Sequence, residues 1–149
     1  MINIREINKT DIEQVALLFD AYRVFYEKPS DIVAAKNFLL ERFENKESTI
    51  FVAENAENKI VGFVQLYPLF SSTRMKKLLL LNDLYISEDY RGKGISVQLI
   101  DACKAFCITT NACGLMLETA KSNVVGNKLY PKTDFVLDKD HNYYSWDND

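Results

Sequence analysis

Between residues 77 and 109 the chain changes its apolar period once, and that change constrains the fold more than any other feature. Lys77-Leu78-Leu79-Leu80-Leu81-Asn82-Asp83-Leu84-Tyr85-Ile86 is an apolar run of strand length. Ser87-Glu88-Asp89-Tyr90 is a short acidic turn, Arg91-Gly92-Lys93-Gly94-Ile95-Ser96 a Gly-rich one, and residues 94–109 then read as an amphipathic helix. A strand entering a helix this way brings the helix amino terminus to the strand's carboxyl end. Unpaired N–H groups and the positive end of the helix dipole favour an anion there. Gly92 and Gly94 remove side chains where a diphosphate would lie, Ser96 is small enough not to obstruct it, and Arg91 and Lys93 add positive charge. A dinucleotide fingerprint needs a third Gly where Val97 stands, and the P-loop spacing is absent.

The flanking segments supply the remaining layers. A first strand is expected at residues 2–7. Thr10 and Glu13 have capping-box spacing ahead of Ile12, Val15, Ala16, Leu18, Phe19 and Tyr22, which predicts a first helix. Pro29-Ser30-Asp31 opens a second, carrying Ile32, Ala35, Phe38, Leu39 and Phe43. Residues 49–53, 60–67 and 77–86 predict an antiparallel meander. Beyond the helix at 94–109 come a strand at 114–119, a short helix at 123–129, and a final hairpin of Phe135-Val136-Leu137 with Tyr143-Tyr144-Ser145-Trp146. The expected fold is α+β: a mixed, mostly antiparallel sheet of six to seven strands with about four helices, in the order β-α-α-β-β-β-α-β-α-β-β, as one domain over residues 1–149. Its second half holds a right-handed β-α-β crossover.

Composition narrows the function classes. A net charge of −3 and no dense Lys/Arg stripe speak against nucleic acid as a partner. No apolar run approaches the ~20 residues that span a bilayer, and the amino terminus lacks a secretory pattern, so a soluble cytoplasmic protein is expected. Cys103, Cys107 and Cys113 are an odd set without a Cys-x-x-Cys pair, which suits free thiols in a reducing compartment. Cys103 and Cys107 stand one helical turn apart, but with a single His in the chain buried small hydrophobes are the better account than a metal site.

With these segments in place, the loop resembles motif A of the GNAT superfamily of acyl-CoA N-acyltransferases: Arg or Gln, two residues, Gly, one residue, then Gly or Ala. Arg91, Gly94 and Ser96 fill it, with Ser96 a mild departure. The element order extends the likeness over nearly the whole chain, and Leu117-Glu118-Thr119 followed by Asn123 and Tyr130 is similar to the family's second motif. The resemblance implies acetyl-CoA as cosubstrate, held by Leu84, Tyr85, Ile86, the loop from Arg91 to Ser96, Asn123, Lys128 and Tyr130, with no metal. It implies that the pantetheine arm inserts between splayed strands, here residues 82–86 and 115–119, with a backbone N–H near Tyr85 or Ile86 polarising the thioester carbonyl. Asn123 would lie near that arm and Tyr130 near the sulfur, as general acid. The family's usual Gly-Phe turn is Asp134-Phe135 here, so Asp134 is expected in left-handed geometry.

An alkyl amine, neutral in roughly one molecule in 2,500 at pH 7, needs to lose a proton before it attacks. Asp83 and Glu118 are the candidate bases, each with a structural alternative: turn bonding for Asp83, plain exposure for Glu118. Tyr22, Tyr26, Tyr67 and Phe70, with Asp83, are candidates for lining the acceptor cleft, or ordinary core and rim aromatics. Residues 77–86 also resemble the diamine and polyamine acetyltransferase strand, in which an acidic pair stands where this chain has Asn82-Asp83; only Asp83 matches. The acids Asp138, Asp140, Asp147 and Asp149 would solvate the surface or attract a cation, and His141 reads as a turn residue. The leading expectation is acetyl transfer to a small-molecule amine. A protein amino terminus or lysine is the alternative acceptor, and a non-catalytic acyl-CoA-binding module is the reading from another class. Self-association as a homodimer stays open.

Overall fold

The computed structural model describes residues 1–148; Asp149, the last acid of the tail, lies outside the described residues. The described chain forms two compact units, one of Met1–Glu118 and one that begins at Thr119. The first runs β1 (Asn3–Glu6), α1 (Ile12–Phe25), α2 (Ile32–Glu44), β2 (Thr49–Glu54), β3 (Ile60–Ser71), β4 (Lys76–Ile86), α3 (Ile95–Thr109) and β5 (Leu115–Met116). The second holds α4 (Val124–Lys132).

The sheet has five strands in the spatial order β1-β2-β3-β4-β5. β1 to β4 pair antiparallel, and β5 joins β4 in parallel after the α3 crossover. Residues 60–66 of β3 are buried without interruption, the sign of a central strand covered on both faces. On one face Ile50, Val52 and Phe63 pack with Val15, Phe19 and Leu39 of α1 and α2. Phe51 points the other way, as strand alternation requires, and meets the Phe106 ring of α3 at 5.8 Å. Gly62 shares that second face: a Cβ there would come within 2.7 Å of Ile86 Cδ1, so its absence lets β3 and β4 close up under α3.

Helix starts are fixed by carboxylates. Asp31 accepts from the Ala34 N–H at the start of α2, while buried Asp20 of α1 accepts from Ser30 Oγ and the Asp31 N–H, both at 2.7 Å. At α1 the expected Thr10–Glu13 box is displaced. Asn8 N–H donates to the Asp11 carboxylate at 2.7 Å, because Asp11 is held in place by Arg5, which also binds Glu54.

Three further expectations are corrected. Among the described residues the sheet has five strands, not six or seven. β5 is two residues long rather than spanning 114–119, because β4 offers it a straight edge only as far as Leu80. The final hairpin is not formed: among the described residues, 135–148 contain no strand. Asp138 Oδ1 instead accepts from the N–H groups of Asp140 and His141, which makes the turn around His141 but leaves the flanking segments unpaired. Two short strands with no third to join are marginal in water.

Candidate active site

The ladder between β3 and β4 slips at one residue. Gln65 faces Asp83, but Leu66 faces Leu81, so Asn82 is the extra residue of a β-bulge. The two adjacent polar residues Asn82-Asp83 in an apolar run are its sequence signal. The bulge coincides with the end of the parallel pairing: β5 matches Leu79 with Leu115 and Leu80 with Met116 and goes no further. From Asn82 to Ile86 β4 continues along β3, while no strand among the described residues pairs with its other edge. Main-chain groups alternate between the two edges, so those of Leu84 and Ile86 face this one and are open to a guest strand, except the Ile86 carbonyl, which Arg91 occupies.

The open edge leads to the amino terminus of α3. Gly92 and Gly94 both adopt left-handed backbone, with φ of 73° and 78°, and Gly94 is the N-cap. A Cβ at either would meet nothing within 4 Å, so the space above the loop is clear. Buried Ile95 anchors the first turn in the core and half-buried Ser96 follows it. Arg91 is tethered: its Nε donates to the Ile86 carbonyl at 2.9 Å and its guanidinium lies 5.3 Å from the Tyr85 ring centre. Lys93 Nζ lies 4.9 Å from the Tyr90 ring, and the Tyr90 hydroxyl accepts from Asn55 Nδ2 at 2.9 Å. A clear glycine turn, a helix of fifteen residues behind it and two cations form a fitting cradle for a diphosphate.

Asp83 is 3% exposed. Its carboxylate accepts from Gln65 Nε2 at 2.7 Å and from Asn82 Nδ2 at 3.1 Å. Burial holds this carboxyl above its ordinary range, against hydrogen bonds from Gln65, Tyr22 and Asn82 that favour the charged form. Tyr22 Oη donates to the carbonyl of the bulge residue Asn82 at 3.2 Å, and the Tyr22 ring packs on Tyr26 at 4.9 Å and Tyr85 at 6.5 Å. Tyr67, two residues from Gln65, has its phenol pushed up to about 12, first by burial and then by the Asp83 charge. Tyr22, Tyr26 and Asp83 thus belong to one cluster, and Tyr67 feels the Asp83 charge. Phe70 stands exposed, five residues along β3 from Gln65. Glu118 is exposed beyond the end of β5. Gln65 was missed by sequence reasoning; its signal is a single amide inside Val61-Gly62-Phe63-Val64-Gln65-Leu66.

In the second unit, Asn123 caps α4: its Oδ1 accepts from the Gly126 N–H at 3.1 Å and its Nδ2 donates to Thr119 Oγ1 at 2.9 Å. A Cβ on buried Gly126 would lie 2.5 Å from Asn123 Nδ2 and 3.3 Å from Tyr130 Cε2. α4 ends in a Schellman motif, with Asp134 at φ 70°, as expected of it. The Phe135 N–H bonds the Tyr130 carbonyl, the Asp134 N–H bonds that of Pro131, and the Phe135 and Tyr130 rings meet at 5.8 Å. Lys128 is exposed on α4.

Cys103 and Cys107 are buried in α3, the Cys103 thiol pushed up to about 12 by burial, which marks it as unreactive packing. Among the described residues no group of three or more His, Cys, Asp or Glu side chains is placed to hold a metal, and no helix is long and apolar enough to cross a membrane.

Residues 14–135 match the sequence model of the acetyltransferase (GNAT) family. The chain is 38% identical over 143 residues to the uncharacterized N-acetyltransferase YhfO of Bacillus subtilis, covering 96% of this chain and 95% of that protein. It is 32% identical over 127 residues to a probable acetyltransferase of Haemophilus influenzae, covering 82% and 87% respectively. The crystal structure of a probable acetyltransferase, 31% identical, superposes with a TM-score of 0.94 over 99% of this chain and 98% of the other.

Proposed function

Because this chain belongs to the GNAT acetyltransferase family, we propose that it transfers an acetyl group from acetyl-CoA directly to the primary amine of a small molecule such as an amino acid, diamine or polyamine. Acetyl-CoA, the family's cosubstrate, supplies the acyl group as a thioester. The open edge of β4 from Asn82 to Ile86 receives the pantetheine arm, and a backbone N–H near Tyr85 or Ile86 polarises the thioester carbonyl. The pyrophosphate sits over Gly92 and Gly94 at the α3 amino terminus, with Arg91 and Lys93 as counter-charges and Ile95 and Ser96 in the first turn.

The observation that carries the acceptor class is buried Asp83 beside an aromatic group. Its raised pKa makes it a stronger proton acceptor than a surface carboxylate, and it takes the ammonium proton directly or through one water. Tyr22, Tyr26 and Tyr67 form the wall of the acceptor pocket, a setting that favours a compact amine over an extended peptide. Exposed Glu118 receives no proton in this reading. In the second unit, the family resemblance gives Asn123 and Lys128 to the cosubstrate and the Tyr130 phenol the proton for the departing sulfur.

Thiol release from acetyl-CoA, assayed against amines, amino acids and short peptides with CoA binding measured alongside, tests this. Turnover on small amines should fall sharply in Tyr130→Phe and Asp83→Asn while CoA still binds. Turnover confined to peptides would move the acceptor to polypeptides, and loss of CoA binding in the unaltered protein would end the reading.

A further inference from the structure

Two amides of opposite exposure hold the carboxylate of Asp83. Gln65 Nε2 donates to Oδ2 at 2.7 Å, and Asn82 Nδ2 donates to Oδ1 at 3.1 Å. Gln65 is 0% exposed on β3, whereas Asn82 is exposed at the bulge of β4. Ladder register fixes the first contact, since Gln65 and Asp83 are direct partners, and the bulge fixes the second by setting Asn82 beside its neighbour as an extra residue.

Gln65 is an unfavourable side chain for its position. Val61, Phe63, Val64 and Leu66 around it on β3 are all buried, and its Oε1 has no hydrogen-bond partner among the described residues. A buried amide with half its bonding unmet lowers stability relative to an apolar side chain of similar size. Its contribution is the bonded half, which is directed at Asp83.

The two donors respond differently when the carboxylate takes up a proton. A proton on Oδ2 would face the Gln65 N–H, donor against donor, inside the sheet where the displaced group has no solvent to turn to. A proton on Oδ1 displaces only Asn82, whose exposed amide turns to water or presents its own oxygen to the new O–H.

We propose that Gln65 is a positioning residue that anchors Oδ2 of Asp83 and so reserves Oδ1, the oxygen on the Asn82 side, for the proton of the acceptor amine. This rests on the reading of Asp83 as the base. An N–H bond of the ammonium breaks with its electron pair left on nitrogen, and an O–H bond forms at Oδ1, directly or through one water. The Asn82 N–H lets go, Gln65 keeps its bond, and the proton returns to solvent on the Asn82 side after transfer. The other titratable or charged groups on this face are Tyr22 of α1, Arg42 of α2, Tyr67 of β3 and Tyr85 of β4. Arg42 is paired with Glu41 and Glu47, which leaves Asp83 as the carboxylate that Gln65 and Tyr22 address.

The test is the titration of the Asp83 carboxyl carbon by NMR in the full-length protein, which needs no acceptor, set beside the pH profile of kcat/KM. Gln65→Leu should make Asp83 at least ~10-fold weaker as an acid, because a hydrogen bond to the charged form is lost where water does not replace it. Asn82→Ala should change it less than ~3-fold, since water takes over at Oδ1. In Gln65→Leu the acidic limb of kcat/KM should move up in pH with the carboxyl titration. Activity lost near neutrality then returns at higher pH, which a folding defect would not allow. Gln65→Met, flexible enough to refill the site, serves if leucine packs badly. A titration unmoved by replacing Gln65, or moved as far by Asn82→Ala, overturns the proposal. A titration that moves as expected while the kcat/KM limb does not follow leaves Gln65 as the anchor and removes Asp83 from the chemistry. That outcome strikes the proposed base, whereas the first two strike Gln65.

Discussion

Gln65 and Asp83 face each other across β3 and β4, and the Gln65 amide donates to the Asp83 carboxylate at 2.7 Å in the interior of the sheet. One residue before that carboxylate the strand bulges, and at the bulge β4 loses its partner on the other side. The acceptor side and the cosubstrate side of the proposed chemistry therefore meet at Asn82-Asp83.

The buried carboxyl predicts a pH dependence. The Asp83 pKa is raised on folding, so its contribution to stability is full below the unfolded value of 3.8 and is lost as the pH rises through the higher folded value. Asp83→Asn removes that titration. Urea unfolding at a series of pH values should show the unaltered protein losing stability relative to Asp83→Asn as the pH rises above ~4 and through the raised folded value, then running parallel to it. Parallel curves from the start would mean that Asp83 titrates normally.

At the loop, backbone conformation and steric room make different demands. Gly94 has φ 78° but open space where a side chain would go. Gly94→Ala should cost about 1–2 kcal/mol of stability from left-handed strain, without a core clash. CoA affinity should fall by more than that, since the methyl group stands where the pyrophosphate is placed. Thermal melts and calorimetric CoA titration separate the two.

Gly126→Ala opposes two effects of similar size. Gly126 is the third residue of α4, where alanine gains at most the ~1 kcal/mol it has over glycine in a helix interior, but the new Cβ lies 2.5 Å from Asn123 Nδ2 and displaces the cap, a loss of ~1 kcal/mol. The melting temperature should barely move. Hydrogen exchange of the amide at position 126 should speed up clearly, and turnover should fall because Asn123 is misplaced.

Asp134 holds left-handed backbone at the end of α4 without being glycine. Asp134→Gly relieves that strain and should stabilise the protein by roughly 0.5–1 kcal/mol, measurable by chemical denaturation.

Most of the fold was legible because its elements advertise themselves locally: apolar period for α1 to α3, alternation for the meander, Pro29-Ser30-Asp31 as the start of α2, Asp134 as a left-handed stop. The glycine-rich loop ahead of α3 was legible as a backbone feature for the same reason, since its glycines, cations and helix start are contiguous. What failed was non-local. Whether residues 143–146 become a strand depends on a partner edge that no local pattern specifies. The length of β5 is set by a bulge in β4, visible in sequence only as two polar residues side by side. Gln65 belongs to the Asp83 site through cross-strand register, eighteen residues away in the chain.

The tether on Arg91 has a thermodynamic consequence. A free arginine loses about 1.5–2 kcal/mol of rotamer entropy when it is immobilised. Here the Ile86 carbonyl and the Tyr85 ring already restrain the side chain. Much of that loss is incurred in folding, and an anion arriving at the α3 terminus meets a preorganised cation.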